Sequence, residues 1–187
     1  MKTRIYKIVT SQSSIDWTGH RITGPHSGTI AIKEGGFIFD DKKLRGKFII
    51  DTTSIKVMDI ADPVINAQFT GHLMSDDFFA SEQYPEAVFV ITEAEPDGAI
   101  NCRIKGDLTI KGITNPIVFN AKVNVNDNML IAFGRIIVDR TLYGIKFHSG
   151  NFFENLGDAL ICDEFYLTVH ITAKAVSEPA PGTYSLN

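Results

Sequence analysis

Long apolar runs are missing from this 187-residue chain. The best stretch, Met129 to Phe133, is interrupted by Gly134 and Arg135, whereas a helical span of a bilayer takes about 20 apolar residues. Stable membrane insertion is therefore not expected. Clusters of one charge are missing too. Lys and Arg number 18 against 22 Asp and Glu, a formal charge of −4, and the nearest thing to a basic cluster is Lys42-Lys43. Nucleic-acid binding needs a concentrated positive face, so it is excluded as a function. Cysteine is scarce. Cys102 and Cys162 both fall inside strand-like patterns, where a buried free thiol is the usual occupant rather than half of a disulfide. Tryptophan occurs once, as Trp17, the one large anchor in a weakly patterned stretch from Ile8 to Gly19, and it is expected in the core.

Signatures of catalysis are also absent. There is no Gly-x-Ser-x-Gly, no glycine-rich phosphate loop and no His-Glu-x-x-His. The five histidines show no metal-site spacing. Neither a catalytic residue, a metal nor a cofactor is expected, and the chain reads as a non-enzyme. The N-terminus is basic but lacks an apolar core, so no signal peptide is recognised. That places the protein in the cytoplasm, or in the periplasm if a leader has been removed.

What is abundant is two-residue alternation. Leu108 and Ile110 interleave with Asp107, Thr109 and Lys111, the period of a strand with one dry and one wet face. Asn115-Pro116 reads as a turn, and Ile117, Phe119, Ala121 and Val123 resume the pattern. Ile30 and Ile32 alternate up to Glu34-Gly35-Gly36, which reads as a hairpin turn into Phe37 and Phe39. Asp40 to Lys43 makes another turn, before a strand from Leu44 to Ile55 with Phe48 and Ile50 on one face. The clearest strand is the last, with Ile161, Phe165, Leu167, Val169 and Ile171 against Glu164, Tyr166, Thr168 and His170. Asp62-Pro63 interrupts this series as an N-cap followed by a first-turn proline. It predicts a short helix to about Met74-Ser75, with Ile65, Phe69 and Leu73 on one stripe.

About eight strands with hairpin-length connections and one helical insert imply a sandwich or barrel. A meander this long removes its edges most easily by closing. The expected fold is all-β: an extended eight-stranded antiparallel barrel over residues 1–174, with 175–187 as a disordered tail. The inward candidates are Phe37, Phe39, Phe48, Ile50, Leu108, Ile110, Phe119, Phe165, Leu167 and Val169, all bulky and uncharged. Pattern alone leaves two readings open, a packed core or an apolar tunnel. His72 and Arg140 are the candidate polar residues at a mouth.

Five segments together carry a resemblance. They are Gly46 to Ile55, Gly71-His72-Leu73-Met74-Ser75-Asp76-Asp77-Phe78-Phe79, Tyr84-Pro85-Glu86-Ala87-Val88-Phe89, Gly106 to Pro116, and Asp139-Arg140 with Tyr143-Gly144-Ile145. In this order and spacing the chain resembles the YceI-like family of lipid-binding proteins from about Tyr6 to Lys174. The resemblance implies a lipocalin-like barrel holding a long apolar ligand, a polyisoprenoid such as a quinone tail or a prenyl pyrophosphate. It assigns no catalytic residues. Members often carry Arg-Asp before the His-Leu pair, where this chain has Thr70-Gly71, which leaves a head-group clamp unsupported at that place. The expected function is therefore non-enzymatic binding, transport or storage of an isoprenoid or fatty-acid-like lipid, with a homodimer allowed. The alternatives are an enzyme or accessory factor of isoprenoid or quinone metabolism, and a stress-response structural module with a filled core.

Overall fold

The computed structural model describes residues 3–40 and 43–176. Nine strands follow the alternating segments. They are β1 (Arg4–Ile8), β2 (Ser14–Arg21), β3 (Gly24–Asp40), β4 (Lys43–Val57), β5 (Glu86–Pro96), β6 (Asn101–Ile110), β7 (Ile113–Val125), β8 (Met129–Asp139) and β9 (Ile161–Val176). Every pairing is antiparallel, and the sheet closes because β3 pairs with β4. The result is an eight-position barrel, since β1 and β2 occupy one position between them. Both pair with β3 and β9, β1 at one end and β2 at the other.

One helix, α1 (Pro63–Met74), crosses from β4 toward β5. Its start follows the N-cap chemistry: Asp62 Oδ1 accepts from the Val64 and Ile65 amides at 2.8 and 3.0 Å, and Pro63 fills the first turn. Asn66 holds it to the barrel by donating to the carbonyls of Val57 and Ile60, both at 2.9 Å. The connection carrying α1, the β2–β3 and β6–β7 turns and the long β8–β9 connection all lie at one end, here the upper end. The β5–β6 and β7–β8 turns lie at the lower end, with the outer ends of β1 and β9.

Several expectations are corrected. Gly35-Gly36 is not a turn: β3 runs straight through it for 17 residues. The glycines serve close approach, because a Cβ on Gly35 would sit 2.8 Å from the Lys47 carbonyl oxygen and one on Gly36 2.7 Å from that of Tyr6. Asn115-Pro116 is not a turn either. Lys111 and Gly112, at φ 51° and 72°, make the two-residue turn, which the permissive glycine favours. Pro116 then lies within β7 opposite Asp107. Counting from the closing pair Ile110↔Ile113, Asp107↔Pro116 falls at a non-hydrogen-bonded site, so the proline nitrogen faces away from β6. On the helix stripe Leu73 is buried and Phe69 half-buried, but Ile65 is 54% exposed because the first turn overhangs the barrel.

Cys102 is a buried free thiol whose pKa is raised by burial. Cys162 is also free but exposed, since it shares the outward parity of Glu164 and Tyr166. β9 reaches Val176, past the expected boundary at 174, because β1 offers Tyr6 and Ile5 as partners for Ala175 and Val176. The remainder of the expected tail, 177–187, lies outside the described residues, as does the tip of the turn at Asp41-Lys42.

Candidate functional site

The inward faces of the strands enclose one long cavity. Its free volume is about 150 Å³, and with the crevices between side chains and its solvent-open parts the empty space reaches about 1130 Å³. The wall is apolar throughout. Thr52 is the one hydroxyl-bearing residue on it, and that hydroxyl turns away to donate to the Tyr84 carbonyl at 2.7 Å. An apolar space of this size stays dry and favours an apolar guest.

Aromatic rings set its bore. Phe37 and Phe48 meet edge to face at 5.0 Å, Phe48 and Phe89 stack at 6.1 Å, and Phe89 tilts against Phe119 at 5.8 Å. These rings come from β3, β4, β5 and β7 and lie around the wall. Gly106 makes room for this: a Cβ there would stand 2.3 Å from the Phe89 ring, so the missing side chain lets the ring lie back against the sheet. Phe79 closes the upper end. It arrives on the turn after α1 and stands 6.4 Å from Phe165. The turn is fixed to β4, because Ser81 Oγ donates to the Thr52 carbonyl at 3.1 Å and the Thr52 amide donates to Pro85 at 3.0 Å.

Of the residues read from sequence, Phe37, Phe48, Ile50, Leu108, Ile110 and Phe119 stand on the cavity wall. Phe165, Leu167 and Val169 of β9 do so as well. Phe39 does not: two residues beyond Phe37, it packs half-buried against the core near the lower end. Sequence reasoning missed Phe79 and Phe133. The first sits in a turn without periodicity, and the second in β8, whose two faces are both apolar.

The two candidate mouth residues are already engaged. His72 Nε2 lies 3.1 Å from Asp77 Oδ2, with its ring between Phe78 and Phe147. Arg140 is buried at 4% exposure and holds the loop together. Its Nε donates to the Cys162 carbonyl, Nη1 to Ile145 and Nη2 to Ile161, at 3.0, 2.9 and 3.0 Å. Asp163 Oδ1, the inward residue that breaks the apolar parity of β9, lies 3.5 Å from Nη2. Burial lowers the guanidinium pKa, with Asp163 and Asp139 opposing the shift. Arg140 is thus a structural cation rather than a free one at the mouth. Nearby, the Tyr143 hydroxyl is buried without a hydrogen-bond partner among the described residues, and burial pushes its pKa up to about 12. Among the described residues no group of three or more His, Cys, Asp or Glu converges as a metal site would require.

The barrel has counterparts among solved structures. Burkholderia cenocepacia BcnA superposes with a TM-score of 0.69 at 20% identity, covering 88% of this chain and 98% of that one. A polyisoprenoid binding domain from Saccharophagus degradans, implicated in plant cell wall breakdown, gives 0.66 at 11% identity, covering 91% and 98%. At these identities the likeness shows the fold. Among curated relatives, the UPF0312 protein plu2095 of Photorhabdus laumondii is 34% identical over 96 residues, covering 51% of this chain and 47% of that protein. Protein YceI of Escherichia coli O17:K52:H18 is 34% identical over 99 residues, covering 51% and 48%. The chain thus spans about half the length of the curated relatives it matches. The model of the YceI-like domain matches residues 6–173, nearly the whole barrel, and the chain belongs to the YceI-like family.

Proposed function

We propose that the protein binds a long-chain apolar lipid inside the barrel, a polyisoprenoid in the first place, and carries or stores it without chemical change. The cavity is the observation that carries this reading. Its wall offers no exposed polar group, so recognition rests on burial, at about 0.8 kcal/mol for each CH₂ moved out of water. An alkyl or prenyl chain gains affinity this way without many polar contacts. Width and length then discriminate better than chemical detail. The solved relative described as a polyisoprenoid binding domain supports the same class of ligand.

Native mass spectrometry of the purified protein, followed by solvent extraction, tests the reading. The expected result is a co-purifying isoprenoid or fatty-acid-like lipid that leaves on extraction. Replacing Leu108 on the cavity wall by Arg is expected to abolish lipid uptake, since it puts an unpaired charge in an apolar space. A bound lipid at wild-type occupancy in Leu108→Arg contradicts the proposal. Conversion of a prenyl substrate on incubation contradicts its non-enzymatic part.

A further inference from the structure

Ladder pairing is incomplete between β4 and β5 below Gly46↔Ile91, and also between β7 and β8. Ladder pairing between β7 and β8 runs from Val125↔Leu130 to Ala121↔Gly134 and stops. The next pair would join Asn120 and Arg135. Above it, β7 from Ile113 to Asn120 pairs only with β6, and β8 from Arg135 to Asp139 pairs only with β9. The nitrogen of Pro116 faces this gap, where it has no ladder to interrupt. At the upper end the gap is spanned by Asn115, whose Nδ2 donates to the Leu142 carbonyl at 3.0 Å.

A groove of about 370 Å³ lies at the lower end of the gap. It shares Ala121, Phe133 and Gly134 with the wall of the inner cavity. Phe133 has the outward parity and packs against His170 at 4.7 Å, yet it also lines the inner space. The two spaces therefore lie on either side of this part of the wall. Gly134, the last residue of β8 still paired with β7, lies on the wall here, and a Cβ on it would meet the Phe119 ring at 3.4 Å and Ala121 Cβ at 3.6 Å, ordinary contact distances.

The groove is polar where the cavity is not. Lys122 and Arg135 line it with the amides of Asn101 and Asn120, and Asp97 is its one carboxylate. Both cations are exposed, and neither makes a hydrogen bond or ion pair among the described residues. The cations at the upper mouth differ, since Arg140 is spent on carbonyls. Two free cations and two amide donors beside a gap in the wall of an apolar cavity match an amphiphile with an anionic head.

We propose that the β7–β8 gap is a side portal, and that Lys122 and Arg135 bind the phosphate or diphosphate head of a lipid whose tail enters the barrel through the unpaired gap above the Ala121↔Gly134 pair. This rests on the barrel being a lipid binder. Titration calorimetry with geranylgeranyl diphosphate, geranylgeraniol and inorganic diphosphate tests it, on the wild type, a Lys122→Glu/Arg135→Glu variant and Gly134→Leu. The wild type is expected to bind the diphosphate lipid roughly thirtyfold more tightly than the alcohol, from two charge-assisted contacts. Charge reversal is expected to remove that preference and leave the alcohol unchanged. Gly134→Leu, which narrows the barrel wall beside the gap, is expected to weaken the diphosphate lipid about tenfold and the alcohol with it. Equal binding of lipid and alcohol by the wild type overturns the head-group site while the lipid-binding barrel stands. Inorganic diphosphate bound as tightly as the lipid, or a Gly134→Leu variant of unchanged affinity, overturns the portal. If neither lipid binds, the barrel reading itself falls and takes this one with it.

Discussion

Strand β8 has two flanks, and they are built differently. Toward β9 it makes eleven consecutive pairs, from Met129↔Lys174 to Asp139↔Glu164. Toward β7 it makes five. The strand is the same, so the difference lies in the partner. β9 is a sixteen-residue strand whose alternation is broken only at Asp163. β7 carries Pro116, and the 3-10 turn Arg140–Tyr143 is tied to β9 by the two bonds Arg140 donates to the Ile161 and Cys162 carbonyls. One flank therefore holds the barrel closed, and the other leaves its interior within reach of the surface. Arg135 and Arg140, five residues apart, mark the contrast: one exposed and unpaired, the other buried and fully bonded.

The largest way to break this comparison is Arg140→Met. It leaves the carbonyls of Ile145, Ile161 and Cys162 without their donor, and a loss of about 3 kcal/mol or more is expected in urea unfolding. Hydrogen exchange sharpens the comparison without a mutation. Amides of residues 135–139 directed at β7 are expected to exchange about 100-fold faster than those directed at β9, because only the latter sit in a ladder. Similar protection on both sides would mean the gap closes in solution.

A smaller effect comes from Tyr143. Its folded pKa, about 12, lies above the usual value of about 10, so the unfolded chain ionises first. The stability this residue contributes is whole below pH 10 and declines as the pH rises toward 12. Tyr143→Phe is expected to remove that decline. It is also expected to gain up to about 1 kcal/mol at neutral pH by deleting a hydroxyl that has no partner among the described residues. The smallest effect belongs to Arg135→Met, expected within about 0.5 kcal/mol of wild type in the same urea titration. A large loss there would show that the exposed flank is structural after all.

How much of this was legible in the sequence depends on whether the cause is local. Alternation is local, so the inward side of β6 and β9 can be read from Leu108, Ile110, Phe165 and Leu167 without knowing their neighbours. The N-cap and first-turn proline of α1 are local too, and the helix begins where Asp62-Pro63 stands. Gly35-Gly36 and Asn115-Pro116 carry turn chemistry but sit in strands, because what decides them lies on other strands: the Tyr6 and Lys47 carbonyls for the glycines, the unpaired edge for the proline. The gap beside β8 belongs to the same class. No window of β7 or β8 reports how many pairs the two will make. Arg140 shows the limit for single residues, since a cation next to a loop looks alike whether it meets a ligand or three carbonyls.

The seventeen-residue β3 has one more consequence. Because β1 and β2 both lean on it on one side and on β9 on the other, the earliest strands lack their second neighbour until the last one exists. On the ribosome the nascent chain must therefore wait, half-built and with its oily interior uncovered, for Ile161–Val176 to emerge. A circular permutant that joins the neighbouring ends at Ile5 and Val176 and opens a turn elsewhere would change how long that exposed state lasts.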